Sequence, residues 1–215
     1  MVARAAEADV VILAAGRSSR LGEPKGLFVV DGRPWLLHQL DAIARVGVVR
    51  GVIVVLGFEA DRYRTALPDL ARRAQAVTNP DPDRGPFSSL QCGLAALAPA
   101  RRPAFVLPVD VPAASPEVWD ALSAALRPYG AAPNDEPGTD AAVPVHEGRG
   151  GHPVLLSSAF AAALLERPPT SRLDHELGRG HGHVAVARVP VGDPRVGLNL
   201  NEPRDWGKLG NGNLG

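Results

Sequence analysis

The segment from Val10 to Lys25 constrains the fold more than any other: Val-Val-Ile-Leu-Ala-Ala-Gly-Arg-Ser-Ser-Arg-Leu-Gly-Glu-Pro-Lys. Val10 to Leu13 form a short apolar, β-branched run, the pattern of a buried strand. Two alanines and Gly16 follow, so backbone can approach a bulky ligand with no side chain in the way. Arg17, Ser18, Ser19, Arg20, Gly22 and Lys25 then supply cations, hydroxyls and a second flexible hinge. A polyphosphate needs this combination of free N–H groups, small residues and positive charge. The spacing matches neither G-x-x-x-x-G-K-[ST] nor G-x-G-x-x-G. Any two of these residues would suit an ordinary solvated loop; the whole string after a buried strand points to a ligand.

Composition narrows the setting. The 215 residues suffice for one large domain with a substantial core, expected over residues 1–209 with a Gly- and Asn-rich tail at 210–215. Basic and acidic residues balance at 23 each, which gives nucleic acid or a membrane surface no electrostatic hold. No apolar run approaches the roughly 20 residues that span a bilayer. The N-terminus lacks an apolar signal core, and the single cysteine, Cys92, excludes an intrachain disulfide framework. A cytoplasmic protein is expected.

Further along, Trp35 to Val46 carries leucines and Ile43 at helical spacing, with Gly47 as the expected C-cap. Gly51 to Leu56, Ala74 to Asn79 and Ala104 to Val109 read as buried strands. Ala60 to Arg73 reads as helix interrupted at Pro68, and Ser88 to Ala98 as a helix capped by Ser88. Pro116 to Leu126 follows with Ser115 as cap. Strand-then-helix alternation argues for an α/β fold with a mostly parallel open sheet and helices on both faces. The later part is less regular: strands at Ala141 to Val145, His152 to Leu156 and His183 to Val189, short helices at Ser157 to Glu166 and Ser171 to Leu177, and a last helix at Pro203 to Leu209.

Ligands of such sheets collect at the carboxyl ends of the strands. That makes the Gly16 loop, Asn79, Asp110 and Asn201 comparable. Asp110 suits a Mg²⁺ ligand facing a phosphate loop, and equally a turn cap. Ser88 and Ser89 offer hydroxyls at a helix start, for a nucleotide or for simple capping. Gly148, Gly150 and Gly151 flank Arg149 and lead into His152-Pro153, where close backbone approach is expected. Asn201, before Pro203, suits a helix cap. His181 and His183 lack an acidic or cysteine partner nearby and read as a turn, and Cys92 as core.

The chain resembles a known family in collinear order from Val10 to Trp206. Leu13-Ala14-Ala15-Gly16-Arg17-Ser18-Ser19-Arg20-Leu21-Gly22-Glu23-Pro24-Lys25 is similar to the signature of the molybdopterin nucleotidyltransferases and sugar-1-phosphate nucleotidylyltransferases. Asn79-Pro80, Gly85-Pro86-Phe87-Ser88-Ser89-Leu90, Asp110-Val111-Pro112, Gly151-His152-Pro153 and Asn199-Leu200-Asn201-Glu202-Pro203 resemble further family segments. Ala14-Ala15, Ser88-Ser89-Leu90 and the Gly-His-Pro look most like the molybdenum cofactor cytidylyltransferases. Against this, Lys25-Gly26-Leu27 looks more like the guanylyl branch, and Leu21 replaces the usual methionine.

The resemblance implies a three-layer, Rossmann-like nucleotidyltransferase that uses Mg²⁺. It would move an NMP from an NTP, with CTP favoured, to a phosphate-bearing acceptor such as molybdopterin, releasing pyrophosphate. Lys25, Asp110 and Arg20 would be catalytic. Leu13, Ala14, Ala15, Gly16, Arg17, Ser18, Gly22, Lys25, Asn79, Ser88 and Ser89 would bind the nucleotide. Gly151, His152 and Pro153 would face the acceptor, and Asp110 with Asn201 the metal. A transient molybdoenzyme or accessory-protein contact is also implied. Two alternatives stay open: a sugar- or alcohol-phosphate nucleotidylyltransferase or a guanylyltransferase, and a nucleotide-binding regulatory protein without turnover.

Overall fold

A computed structural model describes residues 6–18, 21–97, 102–127, 138–179 and 184–206. Arg20, Ser19, His181, His183 and the tail at 210–215 lie outside the described residues. The first strand, β1 (Ala8–Ala14), is apolar on both faces from Val10 onward, with Asp9 buried against Arg102 at its start. Val10, Ile12 and Ala14 point into one hydrophobic layer and Val11 into the other. That is why the segment is continuously apolar rather than alternating: side chains of period two meet a core on either side. The same division recurs in β4 (Val49–Leu56) and β6 (Ala104–Pro108), whose Val54, Leu56, Phe105 and Leu107 share the layer of Val10.

Helices cover both faces. α1 (Trp35–Ala44), α2 (Ala60–Ala66) and α4 (Pro116–Ala125) contribute Trp35, Leu36, Tyr63, Trp119 and Leu122 to one layer. α3 (Pro86–Leu97) and α5 (Ser158–Leu165) contribute Phe87, Leu90, Leu94, Phe160 and Leu164 to the other. The expected three-layer α/β architecture results. Between β1 and α1, the short strands β2 (Val29–Val30) and β3 (Arg33–Pro34) pair as a hairpin.

The remaining strands are β5 (Gln75–Thr78), β7 (Ala141–His146), β8 (Arg149–Gly150), β9 (Val154–Leu156) and β10 (Val186–Pro190). The main sheet runs β10-β7-β9-β6-β1-β4-β5, with β8 paired to β7. It is parallel across β10-β7 and β6-β1-β4-β5, whereas β9 runs antiparallel to both β6 and β7. The chain leaves β1, builds outward through β4 and β5, then crosses to β6 on β1's other side. Strand order therefore reverses at β1, and a crevice opens at its carboxyl end.

Several element boundaries differ from the sequence reading for local reasons. α1 ends at Ala44 with Arg45 as C-cap, so Gly47 caps nothing. α3 starts at Pro86, and Ser88 lies inside its first turn, donating to the Gly85 carbonyl at 2.8 Å instead of capping. Ser115 does sit at the N-cap of α4, yet its hydroxyl makes no cap bond. The helix broken at Pro68 becomes α2 and a separate 3-10 turn at Leu70–Arg72. The last two helices are α6 (Leu173–Arg179) and α7 (Pro203–Trp206). Among the described residues no helix is long and apolar enough to cross a membrane.

α3 lies close on the sheet because Gly93 faces it. A Cβ there would stand 2.3 Å from Val11 Cγ1 and 3.0 Å from Val55 Cγ2. Alanine would add about 1 kcal/mol of helix propensity. Overpacking a closed core costs about 1–3 kcal/mol, so the cost wins. Gly93→Ala is expected to lower the urea midpoint; an unchanged or higher midpoint would contradict this packing.

Candidate active site

The crevice at the end of β1 holds a cavity of ≈ 530 Å³. Leu13 to Ser18 line it as the chain turns out of β1, so six of the sequence-derived candidates share one wall. Lys25, Ser89, Asp110 and Asn201 complete the candidates at the cavity, alongside Leu21, Gly85 and Pro86. Four elements thus meet: the loop after β1, the start of α3, the end of β6 and the segment before α7.

The polar centre is the Lys25 ammonium. It donates to Asp110 Oδ2 at 2.6 Å and to Asn201 Oδ1 at 2.7 Å. The Lys25 and Asp110 side chains are only 17% and 20% exposed, so the pair is weakly screened. Both oxygens are hard donors aimed at a single cationic atom. Among the described residues no group of three or more His, Cys, Asp or Glu could hold a metal. A divalent cation at Asp110 and Asn201 would therefore complete its shell with substrate phosphates and water, which is how Mg²⁺ usually binds. The donor set fits that ion.

Both oxygen donors are held by bonds from distant parts of the chain. Trp35 Nε1 donates to the Val109 carbonyl at 2.7 Å. The buried Gln39 amide donates to the Val111 carbonyl at 2.6 Å and accepts from the Ala113 N–H at 2.7 Å. The Leu200 N–H donates to the Asp110 carbonyl at 2.8 Å, fixing Asn201 relative to Asp110. Asp205 accepts from the Asn201 and Glu202 N–H groups at 3.1 and 2.9 Å, which closes the turn.

Other candidates are committed inside the protein. Asn79 gives both amide hydrogens to Ser88 Oγ and Ser89 Oγ, at 2.9 and 3.0 Å, and accepts from the Asp81 N–H. Neither Asn79 nor Ser88 lines the cavity; they brace the turn behind it. The Ser18 hydroxyl accepts from the Lys25 N–H at 3.1 Å and so closes the loop on itself. Arg17 reaches Asp83 at 2.7 Å, with its guanidinium 3.8 Å from the centre of the Phe58 ring. The ion pair is largely exposed, and Arg17 still lines the cavity. Gly22 turns the loop but does not line the cavity.

Gly151 is closely approached by protein rather than left open for a ligand. A Cβ there would stand 2.1 Å from the Val196 carbonyl oxygen, and the His152 N–H donates to that same oxygen at 2.9 Å. Gly151, His152 and Pro153 lie off the cavity wall, yet His152 feels the Asp110 charge. Burial pulls its imidazole below the ordinary value, and Asp110 opposes that shift only in part, so the ring is neutral at pH 7.

One cavity residue carried no sequence signal. Tyr63, buried in α2, accepts the Gly26 N–H at 2.9 Å and holds the loop that carries Lys25. Burial pushes its phenol up to about 12, so it stays protonated. Nothing in the sequence separates this tyrosine from a core aromatic of an amphipathic helix.

Comparison with known proteins agrees with this fold. A molybdenum cofactor guanylyltransferase from Xanthomonas euvesicatoria is 28% identical over 93% of this chain and 92% of its own length. A CMP-5'-(3-aminopropyl)phosphonate synthase from Streptomyces rubellomurinus is 45% identical over 34% of this chain. The chain spans only between 12% and 23% of the length of three curated relatives, the Streptomyces protein included. Among solved structures, Rv0371c of Mycobacterium tuberculosis H37Rv superposes with a TM-score of 0.71 at 23% identity, covering 95% of this chain and 98% of that one. A second structure of it, in complex with manganese, gives 0.69 at 22% identity. At such identities the likeness speaks for the fold. Residues 10–184 match the MobA-like NTP transferase domain, and the chain belongs to that family.

Proposed function

We propose that this protein transfers the NMP of an NTP to a phosphate-bearing acceptor and releases pyrophosphate. One observation carries the reading. The glycine loop after β1, Lys25, Asp110 and Asn201 converge on one cavity at the point where strand order reverses. Loop amides at Ala15 and Gly16, with Lys25, would hold the triphosphate, and Arg20 would add charge from the same loop. Mg²⁺ at Asp110 and Asn201 would neutralise charge on the phosphates.

The acceptor phosphate attacks the α-phosphorus, so no protein nucleophile is required. Catalysis rests on alignment and charge stabilisation by this chain's residues. Trp35, Gln39 and Leu200 fix Asp110 through backbone bonds, which supports a rigid site that needs little rearrangement during reaction. His152, neutral and within reach of the Asp110 charge, would face the acceptor, while Gly151, packed against Val196, fixes where it stands.

CTP is the proposed donor and molybdopterin the proposed acceptor. Ala14 and Ala15 leave room at the wall, and the Streptomyces relative is named a CMP-conjugate synthase. The full-length Xanthomonas relative favours a second reading, in which GTP is the donor. The same Streptomyces name supports a phosphonate as a further acceptor class. A cytoplasmic setting suits all three.

The base is decided by competition among the four NTPs for the nucleotide-loaded protein. CTP is expected to displace best; GTP outranking it would overturn the cytidylyl assignment and favour the second reading. Asp110→Asn tests the catalytic assignment in steady-state kinetics at saturating Mg²⁺. Because the loop amides and Lys25 supply most of the hold on the triphosphate, KM for the NTP should change much less than kcat. Losing the metal ligand acts on the transition state, so kcat should fall on the order of 100-fold or more. A near-normal kcat would reduce Asp110 to a turn residue.

A further inference from the structure

The cation between Asp110 and Asn201 is the protein's own. Lys25 Nζ sits 2.6 Å from one oxygen and 2.7 Å from the other, and no other acceptor is recorded for it among the described residues. Asn201 has one carbonyl oxygen to give, and one of its two lone pairs already faces the ammonium. A Mg²⁺ or Mn²⁺ ion on that oxygen would stand no further than about 5 Å from the ammonium. The pair is largely shielded from solvent, so that repulsion is poorly screened. The ammonium and a divalent ion therefore oppose each other at these two oxygens.

From this we infer that Lys25 competes with the divalent cation for its site in the nucleotide-free protein. The ammonium also lines the cavity, as does the Gly16 loop. A triphosphate bound there offers it a stronger anionic partner, so it can leave the two oxygens only when phosphates arrive. Cation and triphosphate binding are therefore coupled, and by linkage each strengthens the other. The nucleotide-free site resists the ion, and a nucleoside without phosphates does not open it. The inference rests on the proposed metal site at Asp110 and Asn201.

Arg17 supplies the control. It is a cation of the same cavity, but it is committed to Asp83 and Phe58 and touches neither oxygen. Removing it changes the general field without freeing the site.

The test is Mn²⁺ binding to nucleotide-free protein, followed by electron paramagnetic resonance, with folding checked by thermal melting. Wild type is expected to bind Mn²⁺ weakly. Lys25→Met should bind at least tenfold more tightly, Lys25→Gln should do the same if the methionine variant melts early, and Arg17→Met should change affinity less than twofold. Adding Asp110→Asn to Lys25→Met should abolish the gain. Lysine variants that bind no more tightly than wild type, while Asp110→Asn still weakens binding, would overturn the competition and leave the metal site standing. Equal gains from Arg17→Met and Lys25→Met would overturn it as a mere field effect. If Asp110→Asn leaves Mn²⁺ binding untouched in every background, the ion sits elsewhere and the metal site fails as well.

Discussion

The contact of Lys25 with Asp110 and Asn201 ties three remote parts of the chain together, at residues 25, 110 and 201. Each partner alone would be a polar group in a half-closed crevice. Together they satisfy one another where water is scarce, which is what makes a buried charge tolerable. The wall of the cavity, the loop after β1 and the segment before α7 all take their relative positions around this point. A charge-assisted bond of this length is strong and directional, so small shifts of any one part are felt by the others.

The sheet explains why those parts can meet. β1 and β6 lie side by side and parallel, so the loop after one and Asp110 after the other leave the sheet at the same edge. The core beneath is not purely apolar. Trp35 and Gln39 reach from α1 to the Val109–Ala113 backbone, and the buried Gln39 amide has its hydrogen bonds satisfied there. An unmade bond at such a site costs about 1–3 kcal/mol, so these contacts specify one loop conformation. Trp206 completes the same region, packing edge-on against Trp35 with 5.4 Å between ring centres. The last helix is thereby anchored beside the site that its preceding asparagine enters.

Much of this was legible in the sequence. The buried strand, its glycine loop and the strand–helix alternation are local patterns, and local patterns carry fold class. Asp110 stood out by its strand-end position and by resemblance, Asn201 by resemblance, and both line the same cavity. The orientation of side chains was not. Arg17 lines the cavity, but its contact with Asp83, 66 residues away, has no signal in the sequence. Asn79 and Ser88 looked like pocket groups but satisfy each other across the turn. The glycines before His152 looked open to a ligand, whereas the Val196 backbone fills the space at Gly151. Antiparallel β9, inserted between β6 and β7, has no signature in its three apolar residues. Tyr63 and Gln39 resemble ordinary helix residues until their long-range partners are known. Contacts between distant segments are what a single sequence does not display.

On the proposed reading, one cavity brings triphosphate, divalent cation and Lys25 together. The decisive measurement is a crystal structure of the protein with Mn²⁺ and an NTP analogue that cannot be cleaved at the α–β bridge. An anomalous manganese peak is expected within bonding distance of Asp110 and Asn201, with phosphates against the Gly16 loop and the Lys25 ammonium moved onto a phosphate oxygen. A triphosphate bound outside this cavity, or a Lys25 still bridging Asp110 and Asn201 with the ion elsewhere, would contradict it.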